Sequence, residues 1–223
     1  MPSQTRTPGT VVSLGSGIAW VSPENAAAED GNLAAATFPA LSVDTDTAYL
    51  SASNFGFSVT DGASVDGFIA RSKRRQSAPG VVDLTVSLVR AGTIVGENKA
   101  KPGQWPLVLG FESYGAADDT WLVDWIASLV NDPTTGLVIS ARNTIGGEVA
   151  LVDLLELTVF FTGGAAHELT AGIVGFSAEA GEVGPVSATG ALHRPSHEGL
   201  VGPELVTGGI TPRTHEGRII RRT

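Results

Sequence analysis

The four histidines are the first residues to consider for acid–base or metal chemistry: His167, His193, His197 and His215. None stands in a His-Glu-x-x-His pattern, in which two imidazoles one helical turn apart would share a zinc ion. The dipeptide His-Glu occurs at 167, 197 and 215, but the last two are copies within a repeat, so we interpret them as structural. The chain has no cysteine, which excludes thiol nucleophiles and cysteine metal sites.

Two pairs of aspartates lie near tryptophans, Asp118 with Asp119 and Asp124 with Asp132. A glycosidase needs only two carboxyl groups at a suitable distance, so the sequence leaves that chemistry open. Aspartate also forms turns by hydrogen bonding to its own backbone, and we favour that interpretation here. The nucleophile elbow, the phosphate-binding loop and the dinucleotide motif are absent from the sequence. We therefore predict a protein that is not an enzyme and needs no cofactor.

Asp44, Asp46 and Asp61 are a set of oxygen donors that a calcium ion would accept. They do not fall in a ligand loop of recognised spacing. We therefore predict no metal site.

Aromatic side chains admit a different function, because an exposed ring can stack on a sugar. Trp20, Trp121 and Trp125 lie among apolar residues and are expected to be core anchors. Trp105 has a polar residue before it and a proline after it, which is typical of a loop. Trp105 and Tyr114 are therefore the candidate ligand contacts.

The elements that must position these residues are mostly strands. In Val82–Leu88 and Leu155–Phe161 apolar residues alternate with others at the period of two expected of a strand with one buried face. A spacing of four between Trp121, Trp125 and Leu129 permits a short helix within 118–130. Further strands are predicted at Leu33–Phe38, Ala48–Ser53, Val65–Lys73, Thr93–Gly96, Leu107–Glu112 and Leu137–Arg142. Many short strands of this kind predict an all-β sandwich or barrel.

Composition limits the classes of partner. Of the 223 residues 42% are hydrophobic and 17% charged, which is typical of an ordered protein, and the net charge is −9. That charge repels phosphate backbones, so we predict no nucleic-acid partner. The basic run Arg71–Arg75 is interpreted as a solvated strand face. No stretch has the length and apolarity of a membrane span, and no signal peptide is recognised, so we expect synthesis in the cytoplasm and no membrane partner.

The last quarter of the sequence is periodic. Glycine recurs every nine residues at Gly172, Gly181, Gly190, Gly199, Gly208 and Gly217. Nine residues accommodate one short strand and a tight connection, so the period predicts repeated β units. Few large apolar side chains accompany the glycines, and such strands need a second surface to bury a core. A meander, a solenoid and an intertwined stalk all remain open.

Residues 18–161 resemble a jelly-roll-like β-sandwich module that recurs in virion proteins of tailed bacteriophages. The matching segments are Trp20–Ala26 with Asp30-Gly31, Leu50–Phe57, Gly62–Gly67, Val95–Ala100, Tyr114-Gly115 with Trp121, Asn131–Val138 and Thr158–Phe161. The family pattern has isoleucine–proline after Phe-Gly-Phe and glycine after the second tryptophan. This chain has Val59-Thr60 and Leu122 at those positions.

The resemblance implies a structural role in a phage particle and carries over no catalytic residue. We expect an all-β fold in three parts: an N-terminal arm over 1–17, a jelly-roll-like β-sandwich over 18–162, and a β-repeat extension over 163–223. The expected function is capsid decoration or a head fibre, with the chain assembled in the host cytoplasm and located in the virion. Expected partners are copies of the chain, in a homotrimer, and other virion proteins such as the major capsid protein.

A second hypothesis keeps the fold and changes the role. In it the chain is a receptor-binding or carbohydrate-binding module of a tail fibre or baseplate. Trp105 and Tyr114 would then form the contact surface.

Overall fold

The computed structural model describes residues 1–41 and 43–164, and these form an all-β sandwich of two antiparallel sheets. Its eleven strands are β1 Ser3–Arg6, β2 Thr10–Leu14, β3 Ala34–Thr37, β4 Thr45–Asp46, β5 Tyr49–Ser53, β6 Ala63–Gln76, β7 Val81–Arg90, β8 Thr93–Val95, β9 Gly110–Ala116, β10 Gly136–Asn143 and β11 Val149–Gly163. The fold class predicted from the sequence is therefore confirmed for this part of the chain.

The first sheet is built around the two longest strands, β6 and β11. Its order is β1-β11-β6-β9, and β3 pairs with β11 beyond the end of β1. Leu157 lies opposite Ala70 and Leu155 opposite Ser72, and in this stretch every second side chain faces the second sheet. The period of two in the sequence reports this arrangement directly. Two register shifts, after Val152 and after Phe160, interrupt the alternation.

The second sheet has the order β2-β5-β10-β7-β8, and the short β4 also pairs with β10. Its central strand, β10, is buried along most of its length. A β-bulge interrupts the β7–β10 ladder, because Ser140 lies opposite Thr85 while the next residue, Ala141, lies opposite Asp83. Leu84 is consequently left without an opposite residue, which bends β7 locally.

A single apolar core fills the space between the sheets. Trp20, Trp121 and Trp125 are 4%, 0% and 8% exposed, which confirms that they are core anchors. The Trp121 indole donates a hydrogen bond to the carbonyl of Phe68, and that of Trp20 to the carbonyl of Ala48. Each buried indole N–H therefore has an acceptor, as burial of a polar group requires.

One expectation about local structure was wrong, and another was right only in part. Residues 1–17 are not a separate arm, because β1 pairs with β11 and β2 pairs with β5, so that the start of the chain supplies one strand to each sheet. The predicted helix is a single turn, α1, at Ala127–Val130. Trp121 and Leu122 have φ of 57° and 59°, which is incompatible with a right-handed helix there. The six repeat glycines and the proposed extension lie outside the described residues, except for residues 163 and 164.

Candidate functional site

Trp105 and Tyr114 do come together, but inside the sandwich rather than on its surface. Each is 2% exposed. The Trp105 indole donates to a carboxylate oxygen of Asp83 at 2.8 Å, and the Tyr114 hydroxyl donates to the other oxygen at 2.9 Å. The prediction that these two rings form a ligand-contact surface was therefore wrong. The sequence suggests an exposed loop because the neighbours of Trp105 are a polar residue and a proline. Its backbone N–H nevertheless donates a hydrogen bond to the carbonyl of Val81, and this bond holds the segment against β7.

Asp83 is the centre of this cluster, and Arg74 is its counter-ion. Both side chains are almost fully buried, with 1% and 4% exposure. Arg74 donates to both carboxylate oxygens, and its guanidinium carbon lies 4.6 Å from the centre of the Trp105 ring. The backbone N–H of Lys101 donates a further bond to Asp83 at 3.1 Å. The Asp83 carboxylate is thus compensated by a counter-charge and several hydrogen bonds, as a buried ion requires. Within the described residues the Arg74 guanidinium bonds only to Asp83, and its buried Nε has no hydrogen-bond partner.

The protonation of Tyr114 follows from its position. Burial raises the pKa of the Tyr114 phenol far above its ordinary value; the positive charge of Arg74 opposes this shift and the negative charge of Asp83 adds to it. The phenol therefore stays protonated and remains a hydrogen-bond donor throughout the physiological range. We interpret the cluster as a structural feature that joins the two sheets by an ion pair and hydrogen bonds, since it has no exposed reactive group.

The basic run Arg71–Arg75 alternates between two environments. Arg71 and Lys73 face outward and pair with Glu156 at 2.9 Å and Asp153 at 2.8 Å. Arg74 points the other way, into the core. The prediction of a solvated strand face is correct for Arg71 and Lys73 and wrong for Arg74. The composition of the basic run does not distinguish Arg74 from its neighbours.

The candidate carboxylates are mostly turn formers. Asp119 accepts the backbone N–H of Trp121 at 2.8 Å and pairs with Lys99 at 2.9 Å. Asp132 accepts the backbone N–H of Thr134 at 2.7 Å. Burial alone would raise the pKa of Asp119, but its bonds from Lys99 and Trp121 outweigh that effect and lower it. Both carboxylates therefore accept hydrogen bonds within turns, as predicted from the sequence.

An open cleft of about 490 Å³ lies on the outer face of the second sheet, where β4, β5, β7 and β10 meet. Its walls include Gly17 and Leu84, the residue displaced by the β-bulge. Seven further lining residues carry a hydroxyl or a carboxylate: Ser16, Asp44, Thr45, Asp46, Thr47, Tyr49 and Ser140. Asp44 and Asp46, expected as calcium ligands together with Asp61, are thus neighbours, whereas Asp61 lies in an exposed turn elsewhere. Among the described residues no group of three or more potential ligands can hold a metal ion.

Backbone geometry fixes the cleft. A side chain at Gly17 would bring its Cβ within 2.7 Å of the Asp46 carbonyl oxygen, so the segment before the cleft packs directly on β4. Asp46 is held by Arg142 through two bonds of 2.7 and 3.0 Å. The hydrogen bond from Arg142 to Asp46 raises the pKa of the guanidinium, and the charges of Asp46 and Asp44 add to it. The charge of Asp46 is therefore neutralised, and Asp44 supplies the net negative charge of the cleft.

Five large apolar side chains are exposed on loops at one end of the sandwich: Leu41 (94%), Val43 (57%), Leu107 (54%), Val108 (77%) and Ile145 (55%). We call this set the apolar loop end. A backbone hydrogen bond from Gly147 to the carbonyl of Pro39 links two of these loops. A second, from Gln76 to the carbonyl of Pro106, joins the third loop to the end of β6. The sequence does not predict that these five apolar residues lie at the same end of the sandwich, because they come from three separate loops.

Comparisons with known proteins give little further information. No family model matches the chain, and no curated protein matches it. One similar solved structure is the CBM36-1 domain of a multidomain xylanase from the hindgut metagenome of Trinervitermes trinervoides. It is 10% identical, with a TM-score of 0.28, and the alignment covers 73% of this chain and 99% of that one. Within the described residues, no helix has the length and apolarity of a membrane span.

Proposed function

We propose that the chain is a non-enzymatic structural protein of a tailed-phage virion, acting in capsid decoration or as a head fibre. The sandwich is a rigid module, and its apolar loop end binds another virion protein such as the major capsid protein. The periodic segment after residue 164 joins copies of the chain into a homo-oligomer, for which we propose a trimer. The sequence resemblance of residues 18–161 to phage modules gives the biological setting of this proposal.

The observation that carries the proposal is the apolar loop end. Exposed apolar patches larger than a few hundred Å² are rare on soluble monomers and mark contacts with other molecules, and we propose that the side chains of the three loops at this end together form such a patch. Leu41 and Val108 are 94% and 77% exposed, so neither contributes appreciably to the core of its own subunit. Their burial in a complex would contribute free energy in proportion to the area removed from water.

Charge supports a protein partner over a polyanion. The chain carries a net charge of −9, so DNA inside a capsid would repel it. The exposed apolar side chains are instead suited to the uncharged centre of a protein–protein interface. The sandwich would therefore bind the outside of the particle.

Location on the particle tests the proposal. Antibodies against the purified chain are used to label tailed particles released by the bacterium that carries the gene, and the label is located by electron microscopy. We expect label over the capsid shell. Label restricted to the tail tip would favour the receptor-binding hypothesis, and particles without label would contradict both.

Matched variants test the surface itself. Val108→Asp places a charge in the apolar loop end, and Leu122→Asp places one at a residue that is 84% exposed outside it. Incorporation into particles should fall at least tenfold for Val108→Asp and stay unchanged for Leu122→Asp. An equal effect of the two changes would show that the apolar loop end has no special role.

The mass in solution tests the oligomer. We expect the full chain to be oligomeric and a chain ending at Gly164 to be monomeric, since the sandwich has its own core. Equal oligomeric states would contradict the role given to the periodic segment. Trp105 and Tyr114 cannot form the contact surface of a carbohydrate-binding module, because both rings are buried.

A further inference from the structure

We propose that the cleft between β4, β5, β7 and β10 binds a neutral saccharide. This inference is independent of the role in the virion, and no part of it uses the buried pair Trp105 and Tyr114. It depends on the size of the cleft, one unpartnered hydroxyl, one aromatic ring and the distribution of charge.

Size and lining fit a small organic ligand. The cleft has a volume of about 490 Å³, within the range of roughly 300–1,000 Å³ that is usual for small-molecule sites. An ion or a single water fills only ~30 Å³. Most of the lining residues carry hydroxyl or carboxylate groups. The protein hydroxyls can both donate to and accept from the hydroxyls of a sugar, and the carboxylates accept from them.

Ser140 is the observation that points to a ligand. It is 1% exposed, and within the described residues its Oγ has no hydrogen-bond partner. Its neighbours on β10, Ile139 and Ala141, belong to the core, so the Ser140 side chain faces the outer side of the sheet, where the cleft lies. A buried hydroxyl without a partner is unfavourable. A ligand hydroxyl in the cleft would provide that partner.

Tyr49 supplies the aromatic surface. It precedes the core residue Leu50 on β5, so its half-buried ring lies on the same outer face as Ser140. Gly15 lies beside the ring, and a Cβ at that position would be 3.5 Å from the ring carbon Cδ2. An aromatic ring of this kind packs against the C–H face of a pyranose, while the phenol remains free to hydrogen bond.

Charge selects the class of saccharide. The bidentate bond to Arg142 compensates Asp46, so the exposed carboxylate of Asp44 leaves the cleft negative. Acidic sugars and phosphates are repelled by this carboxylate, whereas a neutral sugar hydroxyl donates to it. A cation is a poorer fit, because no group of three or more potential ligands is present in the described residues.

Binding of the full chain to an array of neutral and acidic glycans, followed by calorimetry on the best neutral glycan, tests the proposal. We expect neutral glycans to bind and acidic ones not to bind. Ser140→Ala should weaken binding about two- to tenfold, the loss of one hydrogen bond, without lowering the midpoint of unfolding. Ser113→Ala, an exposed serine on β9, is the matched control and should bind as the wild type does.

The second pair of variants compares aromatic residues. Tyr49→Ala should reduce affinity at least tenfold, and Phe111→Ala, which removes a 43% exposed ring on the other sheet, should leave it unchanged. Absence of binding to every neutral glycan would overturn the proposal. So would a preference for acidic glycans, loss of binding in EDTA, or full affinity in both Ser140→Ala and Tyr49→Ala.

Discussion

The carboxylate of Asp83 on β7 and the guanidinium of Arg74 on β6 form an ion pair that joins the two sheets through the interior of the sandwich. Side-chain exposures of 1% and 4% place the pair in a medium of low polarity. Trp105 and Tyr114 donate to the same carboxylate, so three side chains, from two strands and a loop, depend on one acceptor. Removing that acceptor leaves a buried cation unpaired.

We expect Asp83→Asn to lower the free energy of unfolding by about 3–5 kcal/mol, the usual cost of breaking a buried ion pair from one side. Urea denaturation followed by circular dichroism measures it. Removing both charges with Arg74→Met and Asp83→Asn should cost less than the single change, because no buried charge is then left unpaired and the Asn amide oxygen still provides an acceptor inside the cluster. Glu112→Gln, which removes the partner of Lys101 in an exposed pair, should cost under about 1 kcal/mol. Equal losses in Asp83→Asn and Glu112→Gln would contradict this account.

The shielding of the tryptophans gives a second prediction. Trp20, Trp105, Trp121 and Trp125 are between 0% and 8% exposed. Iodide cannot reach such rings, so the fluorescence of the folded protein should be barely quenched, and quenching should rise severalfold in urea. Strong quenching in the native protein would show that at least one ring is accessible. Trp105→Phe would then show whether the accessible ring is that of Trp105.

Much of this fold is encoded in local sequence patterns, and the rest depends on distant contacts. The alternation of Leu155–Phe161 correctly predicts part of β11 because one face of that strand packs on the core. The strand predicted at Leu107–Glu112 is displaced to Gly110–Ala116, where it pairs with β6. β1 and β2 are only four and five residues long and cannot be recognised from the sequence, since their stability comes from hydrogen bonds to strands far along the chain.

The candidate site could be predicted only in part. The sequence indicates Asp44 and Asp46 as candidate oxygen donors, and both line the cleft. Tyr49 and Ser140 could not be added from the sequence. They are 91 positions apart and meet only through the β5–β10 pairing, in which Leu50 lies opposite Ile139.

Close packing around Gly67 gives a third prediction. A Cβ at Gly67 would lie 2.5 Å from the backbone nitrogen of Asp119 and 2.6 Å from the carbonyl oxygen of Ala117. Because both contacts are to backbone atoms, Gly67→Ala must displace the 116–119 turn, and we expect a loss of about 1–3 kcal/mol, as for other overpacked sites. Gly103→Ala is the control, since its Cβ would meet nothing within 4 Å. Thermal unfolding should separate the two variants, and a Gly67→Ala as stable as Gly103→Ala would contradict the close approach.

Acid should weaken the Asp119–Lys99 pair. Burial opposes ionisation of Asp119, but the bonds from Lys99 and from the Trp121 N–H lower its pKa in the folded state below the unfolded value of about 3.9. Its stabilisation is therefore complete above pH ~4 and is lost as pH falls through the folded pKa. The difference in unfolding free energy between wild type and Asp119→Asn should be under about 1 kcal/mol at pH 6, since the pair is partly exposed, and should shrink towards pH 2.

Lys99→Gln provides the control for this titration, because it removes the partner and keeps the carboxylate. Its stability difference from wild type should also shrink as the pH falls. A difference that stays constant from pH 6 to pH 2 in both variants would mean that the pair does not contribute to stability.

Leu122 carries a strained backbone that glycine would relieve. Its φ of 59° lies in the left-handed region, which disfavours residues with a Cβ. The side chain is 84% exposed, so little packing is lost on removing it. We expect Leu122→Gly to be neutral or to stabilise the fold by up to about 1 kcal/mol, the reverse of the cost of a side chain at positive φ. Leu107→Gly should instead destabilise it, because Leu107 is not among the positive-φ residues and glycine there only adds freedom to the unfolded chain. Chemical denaturation of the two variants side by side decides the matter, and a loss in Leu122→Gly as large as in Leu107→Gly would contradict the strain at this turn.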